Sequence, residues 1–231
     1  MNKFIVDRKV FNLFPDLKIG VICCKNIDNS KENNKIKELL SAVSRDIKQN
    51  IEGVELCEYP IIRNWRDAYK KFGEKNNRSS IEALIRSIAN GREIPNINSL
   101  VDIYNIISLK HELPCGGEDI DKIGDMQLTT SDGTETFLPL GSDVTENPNI
   151  GEVIYKFGDN VICRNFNYRE SDLTKLTKDT KNAILCIECI DKNDYIKLEQ
   201  ATEELSTLVK RYLGGITNIY FLDKDNNNIK F

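Results

Sequence analysis

The sequence predicts a single α+β domain in which mixed, mostly antiparallel β-sheet layers pack against helices. Helical spacing of apolar residues dominates the first half and the C-terminal part, whereas short strand-like segments bounded by turns are concentrated in the second half. No internal repeat or flexible linker interrupts the chain. We therefore expect residues 1–231 to form one domain.

The first half should begin with a strand, a turn at Phe14-Pro15-Asp16 and a second strand, all within KFIVDRKVFNLFPDLKIGVICC. Ser79-x-x-Glu82 is a capping box that begins one of the later helices, and Gly91 ends it. Four helices are expected, in SKENNKIKELLSAVSRDIKQNI, NWRDAYKKFG, RSSIEALIRSIANG and NINSLVDIYNIISLK.

The second half should be richer in strands. DMQLTTSDGTETFLPLG is typical of a hairpin with an Asp-Gly turn, and GEVIYKFGDNVICRNFNYR of a second hairpin that turns at Gly158-Asp159-Asn160. NAILCIECI is a buried strand, and NDYIKLEQATEELSTLVKRYLGG is a long amphipathic helix. The chain should end as a strand, a polar turn and a short strand.

Composition excludes some classes of function. The 32 basic and 36 acidic side chains give a formal net charge of -4, which does not favour non-specific nucleic-acid binding, and no DNA partner is expected. No apolar run approaches the roughly 20 residues that span a bilayer, so no membrane partner is expected. The N-terminal residues do not resemble a signal peptide, and we expect a cytoplasmic protein.

The seven cysteines predict reduced thiols rather than disulfides or a metal centre. Cys186 and Cys189 have CxxC spacing, but alternation along a strand places them on opposite faces. His111 is the single histidine, and no phosphate-binding or nucleophile-elbow motif is present. We therefore expect no metal and no cofactor.

Three polar residues, Asn98, Asp102 and Asn105, interrupt an otherwise apolar helix. Their spacing of four and three residues places them along one side of that helix. Such a stripe either satisfies neighbouring backbone groups or forms one wall of a binding pocket for an amino acid or a ribose. Spacing alone leaves both interpretations open.

A carboxyl group, Glu188, occurs within the predicted buried strand and shares a face with Ile184, Cys186 and Ile190. An ionised carboxylate among apolar neighbours is costly, so Glu188 must be paired, protonated or at the edge of a wet pocket. It is therefore a candidate catalytic group or amine-binding group. The alternative is an ion pair with an arginine.

Two basic segments are candidates for nucleic-acid contact. In CRNFNYRES, strand alternation places Asn167 and Arg169 on one face and Arg164 on the other, together with aromatic side chains. A surface cation–π ladder explains that pattern equally well. Arg78 precedes Ser80 at a predicted helix N-terminus, where backbone N–H groups favour an anion.

One long segment resembles the editing module of the bacterial phenylalanyl-tRNA synthetase beta subunit. The similar positions are Arg78, Ser80, Gly91, Arg92, Asn98, Val101, Asp102, Asn105, Pro114 and Asp119. TKDTKNAILCIE resembles the strand of that module that carries its editing glutamate, with Thr180 and Glu188 at the matching positions, and ATEELSTLVKRYLGG resembles its closing helix. The resemblance implies a core at residues 60–215 with a β-α extension at residues 1–59, as in the version of the module found as a separate protein.

The resemblance implies a trans-acting deacylase that hydrolyses the ester of a mischarged tRNA. Its partners would be aminoacylated tRNA and the amino-acid moiety as a small ligand. Glu188 would be the editing glutamate, and the residues that contact substrate would be Asn98, Asp102, Asn105, Arg78, Ser80, Asn167, Arg169 and Thr180. The family histidine corresponds to Gly116, and the family segment that follows the glutamate strand is missing between Ile190 and Ala201. The alternative function is a non-catalytic module that binds tRNA or an amino acid.

Overall fold

The computed structural model describes residues 2–231 and contains two β-sheets and six α-helices within that range. The predicted class, α+β with mostly antiparallel sheets, is confirmed. The strands are β1 (Lys3–Val6), β2 (Lys18–Lys25), β3 (Cys115–Asp119), β4 (Met126–Thr130), β5 (Thr136–Phe137), β6 (Val153–Phe157), β7 (Asn160–Arg164), β8 (Arg169–Glu170), β9 (Ala183–Cys189), β10 (Ile216–Leu222) and β11 (Asn228–Lys230). The helices are α1 (Arg8–Leu13), α2 (Asn34–Asn50), α3 (Pro60–Lys71), α4 (Ser80–Ala89), α5 (Ser99–His111) and α6 (Tyr195–Leu213).

The larger sheet has the strand order β11-β1-β4-β6-β7-β5, with β8 also paired to β7. The smaller sheet has the order β10-β2-β9-β3. Two pairs, β1 with β4 and β5 with β7, are parallel, and the other pairs are antiparallel. Both sheets contribute to one main hydrophobic core.

Strand β9 separates two layers because its side chains alternate between the faces of the smaller sheet. Ile187 lies opposite Gly20 in β2, and a side chain at Gly20 would collide with Thr202 of α6, so α6 covers that face. Cys186 and Glu188 point to the other face, toward the larger sheet. The two sheets therefore meet on the face of β9 that carries Glu188.

Most of the predicted elements are confirmed. The hairpin of β6 and β7 turns at Gly158-Asp159, and β9 is buried along its whole length, as the apolar run predicted. Helices α2, α4, α5 and α6 occupy the segments with helical spacing. Ser79 accepts a hydrogen bond from the backbone N–H of Glu82, as expected for the N-cap of α4.

Two local predictions were wrong. The N-terminal run contains α1 between its strands, because Asp7 caps this helix and Val10 and Phe11 become buried. The segment 125–141 is no hairpin: β4 pairs with β1 and β6, and β5 pairs with β7. Phe137 explains the second difference, since it is fully buried in a separate cluster with Val161 of β7.

Candidate functional site

A narrow cavity lies between the two sheets. Glu118, Cys186 and Glu188 line it from the smaller sheet, and Tyr155 and Cys163 line it from the larger one. The remaining lining residues are Gly116, Gly117, Met126, Phe166, Asn167, Glu170 and Ile184. The empty space in and around it measures about 340 Å³, and only a small part of that space is wide enough for a water molecule. In this conformation the cavity therefore holds little more than one or two water molecules.

Glu188 is the most constrained carboxyl group in the cavity. It is 2% exposed, and Tyr155 Oη donates a hydrogen bond of 2.7 Å to its Oε1, while Oε2 has no hydrogen-bond partner. Burial raises the pKa of Glu188 to about 8, although the Tyr155 hydroxyl acts in the opposite direction. At neutral pH the empty site therefore keeps this carboxyl largely protonated.

Glu118 and Glu170 form a second carboxyl pair in the same cavity. Strand register places Glu170 in the cavity, because Glu170 in β8 pairs with Cys163 in β7, which also lines the cavity. Burial raises the pKa of Glu170 to about 7 and that of Glu118 well above its ordinary value. Protonated Glu118 can donate to the Glu170 carboxylate, which raises the pKa of the donor and lowers that of the acceptor.

A strained turn after β7 places Asn167 in the cavity. Asn165 and Phe166 have φ values of 50° and 64°, in the left-handed region that residues other than glycine rarely adopt. Phe166 is fully buried, with its ring 5.2 Å from that of Trp65. This packing stabilises a conformation that costs on the order of 1–3 kcal/mol for such residues. The amide Nδ2 of Asn167 has no hydrogen-bond partner, although the amide lies close enough to Glu188 to lower its pKa.

Two glycines on β3 allow close packing around the cavity. A side chain at Gly117 would collide with Leu185 and lie 2.9 Å from the backbone oxygen of Ile184. A methyl group at Gly116 would lie 3.3 Å from Oε1 of Glu170. Gly116 therefore leaves open the space that Glu170 enters.

Among the nine predicted site residues, Glu188 and Asn167 line the cavity. Ser80 lies beside it, since its backbone N–H donates to Asn167 Oδ1 at 3.3 Å. The predicted strand alternation through Asn167 and Arg169 was wrong, because the turn at residues 165–166 interrupts it. Asn167 thus lies in the cavity because of this turn, which the sequence pattern did not indicate.

Asn98 and Thr180 hold the loop that follows β8. Asn98 is the N-cap of α5, accepting from Val101 N at 3.1 Å, and its Nδ2 donates to Leu176 O at 3.2 Å. Thr180 donates to Asp119 Oδ2 at 2.8 Å. Neither side chain lines the cavity. Both residues therefore lie in connected polar networks that fix the loop.

The three residues of the predicted polar stripe, Asn98, Asp102 and Asn105, have different surroundings and do not share one pocket. Asp102 accepts from Ile97 N and from Asn96 Nδ2, both at 3.0 Å, and so closes the turn before the helix. Burial raises the pKa of Asp102. Asn105 is half-buried and lies outside the cavity lining. The stripe does not form one wall because Asn98 precedes the first helical turn.

The two predicted arginines differ in their availability. Arg78 is exposed and forms no ion pair with another side chain within residues 2–231. Arg169 makes two hydrogen bonds to Glu146, at 2.8 and 3.0 Å, and stacks 5.3 Å from the ring of Phe137. Arg78 can therefore meet an anion directly, whereas Arg169 would first have to share or lose Glu146.

The sequence patterns missed four polar residues of the cavity: Glu118, Glu170, Tyr155 and Cys163. Gly116 and Gly117 before Glu118 were the available signal, since adjacent glycines in a strand often mark close approach of another group. Within residues 2–231, no group of three His, Cys, Asp or Glu side chains is arranged to hold a metal ion. In the same range, no helix is both long and apolar enough to cross a membrane.

The comparison with protein families identifies residues 64–214 as a B3/4 domain. The chain belongs to the B3/4 domain family. The match includes the cavity residues from Glu118 to Glu188 and excludes β1, α1, β2, α2, β10 and β11. It confirms the resemblance to the phenylalanyl-tRNA synthetase beta subunit that the motifs indicated.

Among solved structures, this B3/4 protein is similar to an N-terminal fragment of the phenylalanyl-tRNA synthetase beta-subunit from Pyrococcus horikoshii. The identity is 13% and the TM-score 0.48, and the match covers 93% of this chain. It covers 49% of the fragment, so the chain spans about half the length of that structure. No curated protein matches the chain.

Proposed function

We propose that this B3/4 protein is a trans-acting aminoacyl-tRNA deacylase that hydrolyses the ester of a mischarged tRNA. The observation that supports it best is the cavity between the sheets, where Glu188 Oε2 and Asn167 Nδ2 are buried without hydrogen-bond partners. Leaving such groups unsatisfied costs folding free energy, so they are typical of a ligand site. The fit to the B3/4 family supports a function related to tRNA ligases.

In this proposal Glu188 binds the α-amino group of the aminoacyl moiety, and Asn167 donates to its carbonyl oxygen. A water molecule adds to the carbonyl carbon, and the tetrahedral intermediate then releases the ribose hydroxyl of the tRNA and the free amino acid. Because an aminoacyl ester is labile, positioning and stabilisation of the oxyanion can supply most of the acceleration. Tyr155, hydrogen-bonded to Glu188, orients the carboxyl group.

The terminal phosphates of the tRNA would lie near the N-terminus of α4. Arg78 is exposed immediately before this helix, and Ser80 contacts Asn167, so a phosphate there would be close to the cavity. Backbone N–H groups at a helix N-terminus and an arginine both favour an anion. The other predicted contact residues, Asn98, Asp102, Asn105 and Thr180, would act by shaping the surrounding loops, and Arg169 would contact RNA after releasing Glu146.

The test is deacylation of a panel of tRNAs charged with different amino acids. Wild-type protein should hydrolyse at least one of them, and Glu188→Gln should slow that reaction about 100-fold, as expected for a positioned acid–base or anchoring group. Glu203→Gln is the matched control because Glu203 is exposed on α6. Absence of turnover across the panel with folded wild-type protein would contradict the proposal.

A second candidate is a non-catalytic module that binds tRNA or an amino acid. It requires only the unpartnered atoms of Glu188 and Asn167, without a positioned water molecule. Gel-shift measurements on the same tRNA panel separate the two functions. Binding without turnover on any charged tRNA would support the module, whereas turnover that depends on Glu188 would support the deacylase.

A further inference from the structure

The cavity contains three carboxyl groups and no neutralising cation. Glu118, Glu170 and Glu188 all line it, whereas its lining, drawn from the described residues, contains no lysine, arginine or histidine. Lys122 is the cation that acts on Glu118 from outside, and its Nζ lies 3.5 Å from Oδ2 of Asp119. Buried carboxylates in proteins are normally paired with a cation, and the lining of this cavity supplies none.

The unpartnered atoms are divided between two ends of the cavity. Glu188 Oε2 and Asn167 Nδ2 belong to one end, where the amide lies near the carboxyl group. Glu118 Oε2 belongs to the other end, because Glu118 pairs with Ile184, four residues from Glu188 along β9. Four residues of strand separate the backbone positions by about 13 Å. Glu170 approaches the Glu118 end from the larger sheet.

This arrangement specifies the chemistry of a ligand from end to end. An acceptor and a donor, Glu188 and Asn167, suit an amine and the carbonyl group next to it. The second acceptor, the Glu118 and Glu170 pair, suits another ammonium group farther along the same molecule. An aliphatic chain between them would contact Ile184 and Met126, which also line the cavity.

We infer that the cavity selects a basic aminoacyl group, in which the α-amine binds Glu188 and a side-chain ammonium binds the Glu118 and Glu170 pair. For a ligand that is esterified to tRNA, this inference rests on the proposed deacylase function. The same chemistry is present in a free basic amino acid or its amide, which contains the two amines and a carbonyl oxygen. The cavity widens to admit either form, since its present space suits water.

Binding of the ammonium group should release protons. Burial raises the pKa of Glu170 to about 7 and that of Glu188 to about 8, so in the empty cavity at neutral pH Glu188 is largely protonated and Glu170 about half protonated. An entering cation favours the ionised form, and the displaced protons go to solvent. Affinity for a dication should therefore rise with pH between about 6 and 8.

Other titratable groups face these carboxyls and remain neutral through that range. They are Tyr155 and Cys163 from the larger sheet, Cys115 and Cys186 from the smaller sheet, Tyr69 from α3 and Tyr104 from α5, and burial raises the pKa of each well above its ordinary value. The proton release is therefore assigned to the carboxyl groups. Lys122 is the outside charge acting on Glu118.

Calorimetric titration with L-lysinamide and L-norleucinamide tests the inference, because the two amides differ in the terminal ammonium group. At pH 8 lysinamide should bind at least about 10-fold more tightly, the gain expected from one hydrogen bond between charged groups. Titrations in buffers of different ionisation enthalpy should show proton release at pH 7. Equal affinity for the two amides, or no binding of lysinamide to folded protein at millimolar concentration, would overturn the inference.

Variants locate the preference within the cavity. The double substitution Glu118→Gln with Glu170→Gln should reduce the preference for lysinamide over norleucinamide to about twofold or less. Glu203→Gln, on the exposed face of α6, should retain the full preference. If the double variant is folded by thermal unfolding and keeps the full preference, the ammonium group binds elsewhere and the inference fails.

The two proposals can fail separately. A preference for lysinamide without hydrolysis of any charged tRNA would sustain the ligand assignment and remove the deacylase function. Hydrolysis of tRNAs charged with neutral amino acids, with lysyl-tRNA no better than these, would sustain the deacylase and remove the ligand assignment. Faster hydrolysis of lysyl-tRNA that depends on Glu118 and Glu170 would support both.

Discussion

Two groups of carboxyl side chains lie on opposite faces of β7 and β8, and only one of them is paired with arginine. Arg164 binds Glu152 through hydrogen bonds of 2.9 and 2.7 Å and also reaches Glu146 at 2.9 Å, while Arg169 binds Glu146 from the other side. The cavity cluster has no arginine or lysine in its lining. We name the first group, Glu146, Glu152, Arg164 and Arg169, the paired cluster.

Strand register explains the separation. Arg164 lies opposite Arg169 across β7 and β8, and the neighbouring pair is Cys163 opposite Glu170. Adjacent residues of a strand point to opposite faces, so a shift of one residue separates the paired cluster from the cavity. The carboxylates of the paired cluster are neutralised by arginine, whereas Glu118 and Glu188 in the cavity each keep a carboxyl oxygen without a hydrogen-bond partner.

The largest expected effect comes from breaking the paired cluster. Arg164→Met should lower the free energy of unfolding by about 3–5 kcal/mol, because it leaves the fully buried Glu152 without its partner. Denaturant unfolding measures this loss. Arg164→Met combined with Glu152→Gln should recover part of the stability by removing the orphaned charge, and a single variant as stable as wild type would show that the cluster is dispensable.

The cavity should give a different response, one that depends on pH. Unfolded glutamates titrate near 4.3, whereas the pKa of native Glu188 is about 8. Between about pH 5 and 8 the native protein therefore keeps a proton that the unfolded chain has released, and the free energy of unfolding falls as pH rises. Above the native pKa the loss is complete and the curve levels.

Glu188→Gln should flatten this dependence by on the order of 1 kcal/mol per pH unit over the same interval. Unfolding curves for wild type and variant at pH 5, 6, 7 and 8 provide the comparison. Glu203→Gln is the matched control, because this exposed residue should leave the slope of wild type unchanged. Parallel curves for wild type and Glu188→Gln would mean that Glu188 is already ionised in the native state.

Local sequence patterns predicted the elements that depend on neighbouring residues. Alternation in NAILCIECI placed Cys186 and Glu188 on one face of a buried strand, and both line the cavity. The same reasoning failed at Asn167, because the burial of Phe166 stabilises a left-handed turn that no local pattern specifies. Long-range packing decides that conformation.

Glu118 and Glu170 could not be placed from sequence for a related reason. They are 52 positions apart in the printed sequence and meet because two sheets pack face to face. Glu170 belongs to a strand of two residues, which is too short to show a period. The roles assigned to the nine predicted site residues remain predictions, and the structure adds which of them lie next to the cavity.

A smaller effect is expected where a predicted binding residue has a structural environment. Asn98→Ala should lower the free energy of unfolding by about 1–3 kcal/mol, because it removes the cap of α5 and leaves Asn29 Nδ2 and the backbone oxygen of Leu176 with fewer partners. Thermal or denaturant unfolding measures it. Asn98→Asp retains the capping acceptor and should lose less.

Asn98→Asp also tests whether Asn98 affects the ligand only by holding the loop or by direct contact with it. If it only holds the loop, Asn98→Asp should bind lysinamide and hydrolyse charged tRNA like wild type once the protein is folded. A large loss of ligand affinity in Asn98→Asp, with unfolding unchanged, would instead place Asn98 in contact with substrate.

The smallest effect on folding, and a selective effect on RNA, is expected at Arg78. This side chain is exposed and lies before α4, outside both carboxyl clusters, so Arg78→Ala should leave the unfolding midpoint unchanged. If it contacts a tRNA phosphate, the variant should raise KM for charged tRNA several-fold with little change in kcat, and reduce the slope of log affinity against log salt concentration by about 1. Lys75→Ala is the matched control, an exposed cation three residues earlier in the loop before α4. Equal losses for both variants would indicate a diffuse electrostatic attraction, whereas a loss confined to Arg78 would place the acceptor end of the tRNA beside Ser80 and the Glu188 cavity.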